Sequence, residues 1–130
     1  MRNIKFRGKT KQGKWLYGSL CQTKTIISIL SEKDMETTPL DLLGVRIVEN
    51  LVENDSIGQF TGMKDKKGDE IYEGDILRNS PRTVTYIAEW YEKTGYWRAK
   101  HLSALHDDVL HNICDQFEII GNIYDNKELL

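Results

Sequence analysis

Apolar residues along this chain alternate with polar ones at a period of two more often than they recur at a helical period, and glycine-containing turns cut the alternation repeatedly. Ile4 and Phe6 alternate with Asn3, Lys5 and Arg7, which predicts a first strand that buries the apolar pair and turns the basic residues to water. Gly8 and Gly13 bracket a polar turn. In the next strand Trp15, Tyr17 and Ser19 share one face and Lys14, Leu16, Gly18 and Leu20 the other, so both faces offer cover and the sheet should wrap. Residues 25–30 are β-branched and nearly continuous, as expected of an inner strand.

Charge and Pro39 break the pattern from Ser31 to Gly44. There, Thr38 as a cap, Pro39 at the first position and Gly44 at the close predict a single helical turn. Residues 45–51 read as a further strand, and Asn54 and Asp55 introduce a hairpin over residues 58–77. Asp65 can accept backbone hydrogen bonds at the first position of a type I turn, and Gly68 supplies the positive φ that the bulged closure needs. Gly74 and Asp75 reverse the chain again at once. Ser80 and Pro81 end that strand, and residues 83–91 form the clearest long strand, which Lys93, Thr94 and Gly95 turn into residues 96–99. From Leu102 the period becomes helical: Leu102, Leu105, Val109, Ile113 and, less squarely, Leu110 share a face, with Ser103 as cap and Asp107 and Asp108 near the positive end. A closing strand runs through residues 117–124 with a bulge at Gly121. The expected fold is mainly β, a β-rich α+β chain: a curved antiparallel sheet or partly open small barrel with one or two short helices.

A length of 130 residues predicts a single domain, residues 1–130, able to bury a core without disulfides or metal. No run is long enough to span a membrane, and the start lacks the apolar region of a signal peptide, so the expected location is the cytoplasm. Cys21 and Cys114 are too few and too far apart for a zinc ribbon and read as structural thiols. Net charge is only −2, but residues 1–31 hold seven basic groups and no acid, while the rest holds 11 basic and 20 acidic ones. Such asymmetry suits either a nucleic-acid arm or basic strands lying beside acidic ones, within the monomer or across an oligomer.

Catalytic patterns are missing from the sequence: there is no phosphate-binding glycine loop, nucleophile elbow or H-E-x-x-H. A nuclease of the Asp, then Glu-x-Lys type fails because Asp75 and Glu89 are followed by Tyr91, not lysine. His101, His106 and His111, five apart, spread around a helix. Asp107, His111 and Cys114 follow i, i+4, i+7 and could share a face, but an ordinary surface pair beside an apolar thiol is the simpler reading. Glu70, Glu73 and Asp75 read as a solvated turn. No cofactor and no metal site is expected. The aromatic residues give the better lead. Trp15, with Phe6 and Tyr17, is interleaved with Lys5, Arg7, Lys9, Lys11 and Lys14, a mixture suited to a single-strand groove in which rings stack bases and cations follow phosphates. A core or barrel mouth uses the same aromatic residues.

Four segments, residues 58–77, 2–8, 14–20 and 117–126, together resemble the YopX family of bacteriophage and prophage proteins. They occur in the family's order. The family's usual Asn-Pro-Glu-Leu ending reads Asn126-Lys127-Glu128-Leu129 here. The resemblance implies a β-rich fold and a phage origin, and brings no established activity to any residue. The expected function is that of a non-enzymatic phage accessory protein in the bacterial cytoplasm, a binding or adaptor protein that self-associates or engages a host or phage protein. The alternative is a nucleic-acid-binding module using the basic N-terminal strands.

Overall fold

A computed structural model describes residues 2–79, 84–103 and 107–130. The strand end expected at Ser80 and Pro81, the strand start at Thr83, and the helix position of Leu105 with its neighbour His106 lie outside the described residues. The chain is mainly β with short helices, and it forms two compact units, Met1–Gln59 and Phe60–Leu130, whose boundary falls inside one strand. Pairing is antiparallel throughout and closes no barrel among the described residues, in keeping with the mainly β, antiparallel fold expected.

In the first unit, β1 (Phe6–Lys9), β2 (Trp15–Gln22) and β3 (Ile27–Leu30) pair in sequence, and the first two residues of β4 (Gly58–Lys64) pair with β1. Its buried apolar residues include Ile29, Leu30 and Val52. The expected burial of the first strand fails at two positions: Phe6 is half-buried, but Ile4 is exposed and Arg7 is only 7% exposed. An arginine tolerates this position because its guanidinium plane lies over the Trp15 ring, with Cζ 5.0 Å from the centroid.

Two short helices cross this unit, α1 (Glu32–Thr37) and α2 (Leu43–Glu49), with a 3-10 turn at Leu40–Leu42 between them. Helix α1 was not expected from the sequence. Ser31 caps it, accepting from the Asp34 N–H at 3.0 Å while Asp34 Oδ2 accepts from the Ser31 N–H at 3.1 Å, so two donors at the helix start are satisfied reciprocally. The single turn expected at Thr38–Pro39 becomes the 3-10 turn and continues through Gly44 into α2. The strand expected over 45–51 is therefore a helix. Asn50, its C-cap, holds it to β3 by donating from Nδ2 to the Ile29 carbonyl at 3.0 Å and to Asp34 Oδ2 at 2.9 Å. The fully buried Ser28 hydroxyl donates to the Ile47 carbonyl at 2.9 Å. These tertiary anchors favour the helix over the β preference of Val45, Ile47 and Val48.

In the second unit the remainder of β4 pairs with β5 (Glu70–Tyr72) around the expected turn. Asp65 Oδ1 accepts from the Lys67 and Asp69 N–H groups, each at 2.9 Å, and Gly68 sits at φ +87°. Asp65 does more than form the turn, since its Oδ2 accepts from the Ile119 N–H at 2.9 Å. A second sheet has the order β10–β6–β7–β8–β9, formed by β6 (Asp75–Asn79), β7 (Val84–Tyr91), β8 (Tyr96–His101), β9 (Asp108–Val109) and β10 (Glu118–Asn122). The register of β10 on β6 shifts between Ile119 and Gly121, the expected bulge. Ile71, Leu77, Tyr86, Ala88, Ala99, Leu110, Cys114 and Phe117 form the core.

The helix expected from Leu102 begins only at Leu110, as α3 (Leu110–Ile113). Asp108 and Val109 instead pair with Ala99 and Arg98 as β9. Carboxylates hold the segment in this extended path: Asp108 Oδ2 accepts from the Tyr86 hydroxyl at 2.6 Å, and Asp107 Oδ1 from the His101 N–H at 3.1 Å. A helical start would forfeit both bonds.

Candidate functional site

The antiparallel register of β1 on β2 sets Lys9 opposite Trp15 and Arg7 opposite Tyr17, which places all four side chains on one face of the first unit. Lys9 Nζ lies 5.8 Å from the Trp15 centroid, on the ring that also receives Arg7. The interleaving read in the sequence is therefore real, but its cations are unequal. Arg7 is buried, Lys5, Lys9 and Trp15 are half-buried, and Lys11 and Lys14 are exposed in the β1–β2 turn. That turn is closed by the Thr10 hydroxyl, which accepts from the Lys14 N–H at 3.1 Å. The six candidates do not form one open row.

Beside the turn lies a cavity of about 170 Å³ lined by Lys11, Gln12, Val48, Glu49, Leu51 and Val52. Val48 and Leu51 in its lining belong to a run of exposed apolar residues. Leu42, Val45, Val48 and Leu51 recur every three residues, all exposed, with Val48 at 60%, and Leu40 before them is 88% exposed. In this run Leu40 and Leu42 lie in the 3-10 turn, Val45 and Val48 on α2 and Leu51 just after it, whereas a monomer this size ordinarily keeps its exposed apolar residues scattered. The sequence signal for it was the three-residue spacing, masked by the β-branched run at Val45, Ile47 and Val48. Arg46, on the same helix, pairs with Glu49 at 3.1 Å and approaches Asp34 at 3.8 Å. Burial alone would raise the Asp34 carboxyl, but the hydrogen bonds from Ser31 and Asn50 and the Arg46 charge prevail and hold it below the usual range.

In the second unit the polar groups are tied to one another. Burial, with the hydrogen bond and charge of Asp108, pushes the Tyr86 hydroxyl up to about 12. Arg98 pairs with Glu89 and Asp107 and stacks on Tyr91, with Cζ 4.2 Å from the ring centroid. Asp107 is thus engaged away from His111 and Cys114, and the i, i+4, i+7 face does not form because Asp107 precedes the helix. The Cys114 thiol donates to the His111 carbonyl at 3.7 Å, and burial followed by the Asp115 charge pushes its ionisation up. Asp75, expected in a solvated turn, is 1% exposed and accepts from the Tyr72 N–H at 2.8 Å. Among the described residues no group of three or more His, Cys, Asp or Glu side chains is placed to hold a metal ion, and no helix is long and apolar enough to cross a membrane.

The family model described as YopX protein matches residues 5–130. Among curated proteins, none matches the chain.

Proposed function

Because the chain belongs to the YopX family, we propose that it is a phage or prophage accessory protein that acts in the bacterial cytoplasm by binding, as a self-associating adaptor and not as an enzyme. The observation carrying this reading is the strip Leu40, Leu42, Val45, Val48 and Leu51, left in water by its own unit. Exposing that much apolar surface opposes solubility, and association offsets it by roughly 25 cal/mol for each Å² removed from water. A host or phage protein is a further partner of the same kind.

The second reading, a nucleic-acid-binding module, draws on Lys5, Arg7, Lys9, Lys11, Lys14 and Trp15. The cation–π arrangement at Trp15 favours it, and the burial of Arg7 weighs against it, since a phosphate must reach the guanidinium it pairs with. Sedimentation across a salt series, with and without single-stranded DNA, separates the two. The expected outcome is a self-associated species that is indifferent to DNA and that loosens as salt rises only so far as charge pairs at its rim contribute. A monomer at every salt concentration that shifts sharply on adding DNA would reverse the ranking.

A further inference from the structure

We infer that a second copy of this chain docks on the α2 strip through an antiparallel, two-fold contact in which Asp41 of each copy meets Lys11 of the other. This rests on the self-association reading above and assigns it a surface, a symmetry and a polar code.

The strip has unlike ends. Asp41, exposed in the 3-10 turn, stands one helical turn before Val45, and Lys11, exposed in the β1–β2 turn, lines the cavity beside Val48 and Leu51. Among the described residues neither makes an ion pair, whereas the charges between them are already answered, Arg46 by Glu49 and Asp34. A surface with an apolar middle, one unanswered acid at one end and one unanswered base at the other is complementary to itself when rotated by half a turn. Val45 and Val48 then meet their own equivalents near the axis, and two Asp41–Lys11 pairs form at the rim, as an isologous contact requires. The cavity beside Lys11 would receive the Leu40 or Leu42 side chain of the other copy. A lipid surface fits less well, because membrane-binding helices concentrate Lys and Arg on their flanks, and here Arg46 is matched by acids. A net charge of −2 gives two copies little mutual repulsion.

The experiment is sedimentation velocity at low salt on the full chain, on Val48→Glu, and on Asp41→Lys and Lys11→Asp separately and mixed. Wild type is expected as a dimer and Val48→Glu as a folded monomer by circular dichroism. Each single charge reversal places like charges opposite each other and should weaken dimerisation about tenfold or more. Mixing the two reversed chains restores both opposite-charge pairs, so the mixture should dimerise where each alone does not. This readout holds even if Val48→Glu fails to fold. A wild-type dimer unchanged by Val48→Glu, with a mixture no different from its components, would overturn this surface while leaving self-association standing through another, such as a sheet edge. A wild-type monomer at every salt concentration would overturn both.

Discussion

Tyr86 shows how one side chain couples packing to ionisation. Its hydroxyl donates to Asp108 Oδ2 at 2.6 Å, and its ring packs edge-on against His101 and Phe117 at 5.0 and 5.1 Å between centroids. Because the folded-state value is raised to about 12 from an ordinary 10, this group's stabilising contribution is complete below pH 10 and is lost as pH climbs through 12. Tyr86→Phe should therefore cost about 1 kcal/mol at pH 7 through the lost hydrogen bond, and the gap from wild type should narrow above pH 11. Urea unfolding of both proteins at the two pH values measures it; an equal gap at both would mean that the bond is not linked to the proton. Residues acting locally were legible in the sequence, Asp65 and Gly68 above all, since a turn is decided within five positions. The burial of Arg7 and Asp75 was not, because whether a charge leaves water depends on neighbours distant in sequence.

Among elements, hairpins were legible, the turn after Pro39 and the helix ending at Ile113 were legible in part, and α1 and α2 were not. The β7–β8 hairpin pairs from Tyr86↔His101 to Tyr91↔Tyr96 around Gly95 at φ +72°, as alternation and turn chemistry predict. Helices α1 and α2 are seven residues or fewer and derive little stability from propensity, so their existence depends on the Ser31 cap and the Asn50 anchor more than on a hydrophobic period. Two glycines separate backbone conformation from packing. A Cβ at Gly68 or at Gly44 would meet nothing within 4 Å, but Gly68 sits at φ +87° and Gly44 lies within α2. Gly68→Val should destabilise by roughly 1–2 kcal/mol from backbone strain alone, while Gly44→Ala should stabilise by about 0.5–1 kcal/mol. Melting curves should shift in opposite directions; an unmoved curve for Gly68→Val would remove the left-handed turn from the account.

At the scale of the whole molecule, charge decides what can approach. The seven basic groups in residues 1–31 would, if all met phosphates, give a steep salt dependence of binding to single-stranded nucleic acid, about −0.7 in log K per log salt for each contact. Their placement forbids that total. Arg7 is buried and Lys5 and Lys9 are half-buried, Lys9 against Trp15, so the exposed groups, Arg2, Lys11, Lys14 and Lys24, offer about four contacts without unfolding. The acidic excess in the rest of the chain further opposes a polyanion within a Debye length. Binding to a single-stranded oligonucleotide should therefore show a slope no steeper than about −3 and an affinity in the non-specific range of about 10⁻⁴–10⁻⁶ M at physiological salt. Fluorescence anisotropy across a salt series measures both. A slope near −4, about six contacts, would require the half-buried Lys5 and Lys9 to reach phosphate along with the exposed groups, and would make the β1–β2 face, not the α2 strip, the working surface of the protein.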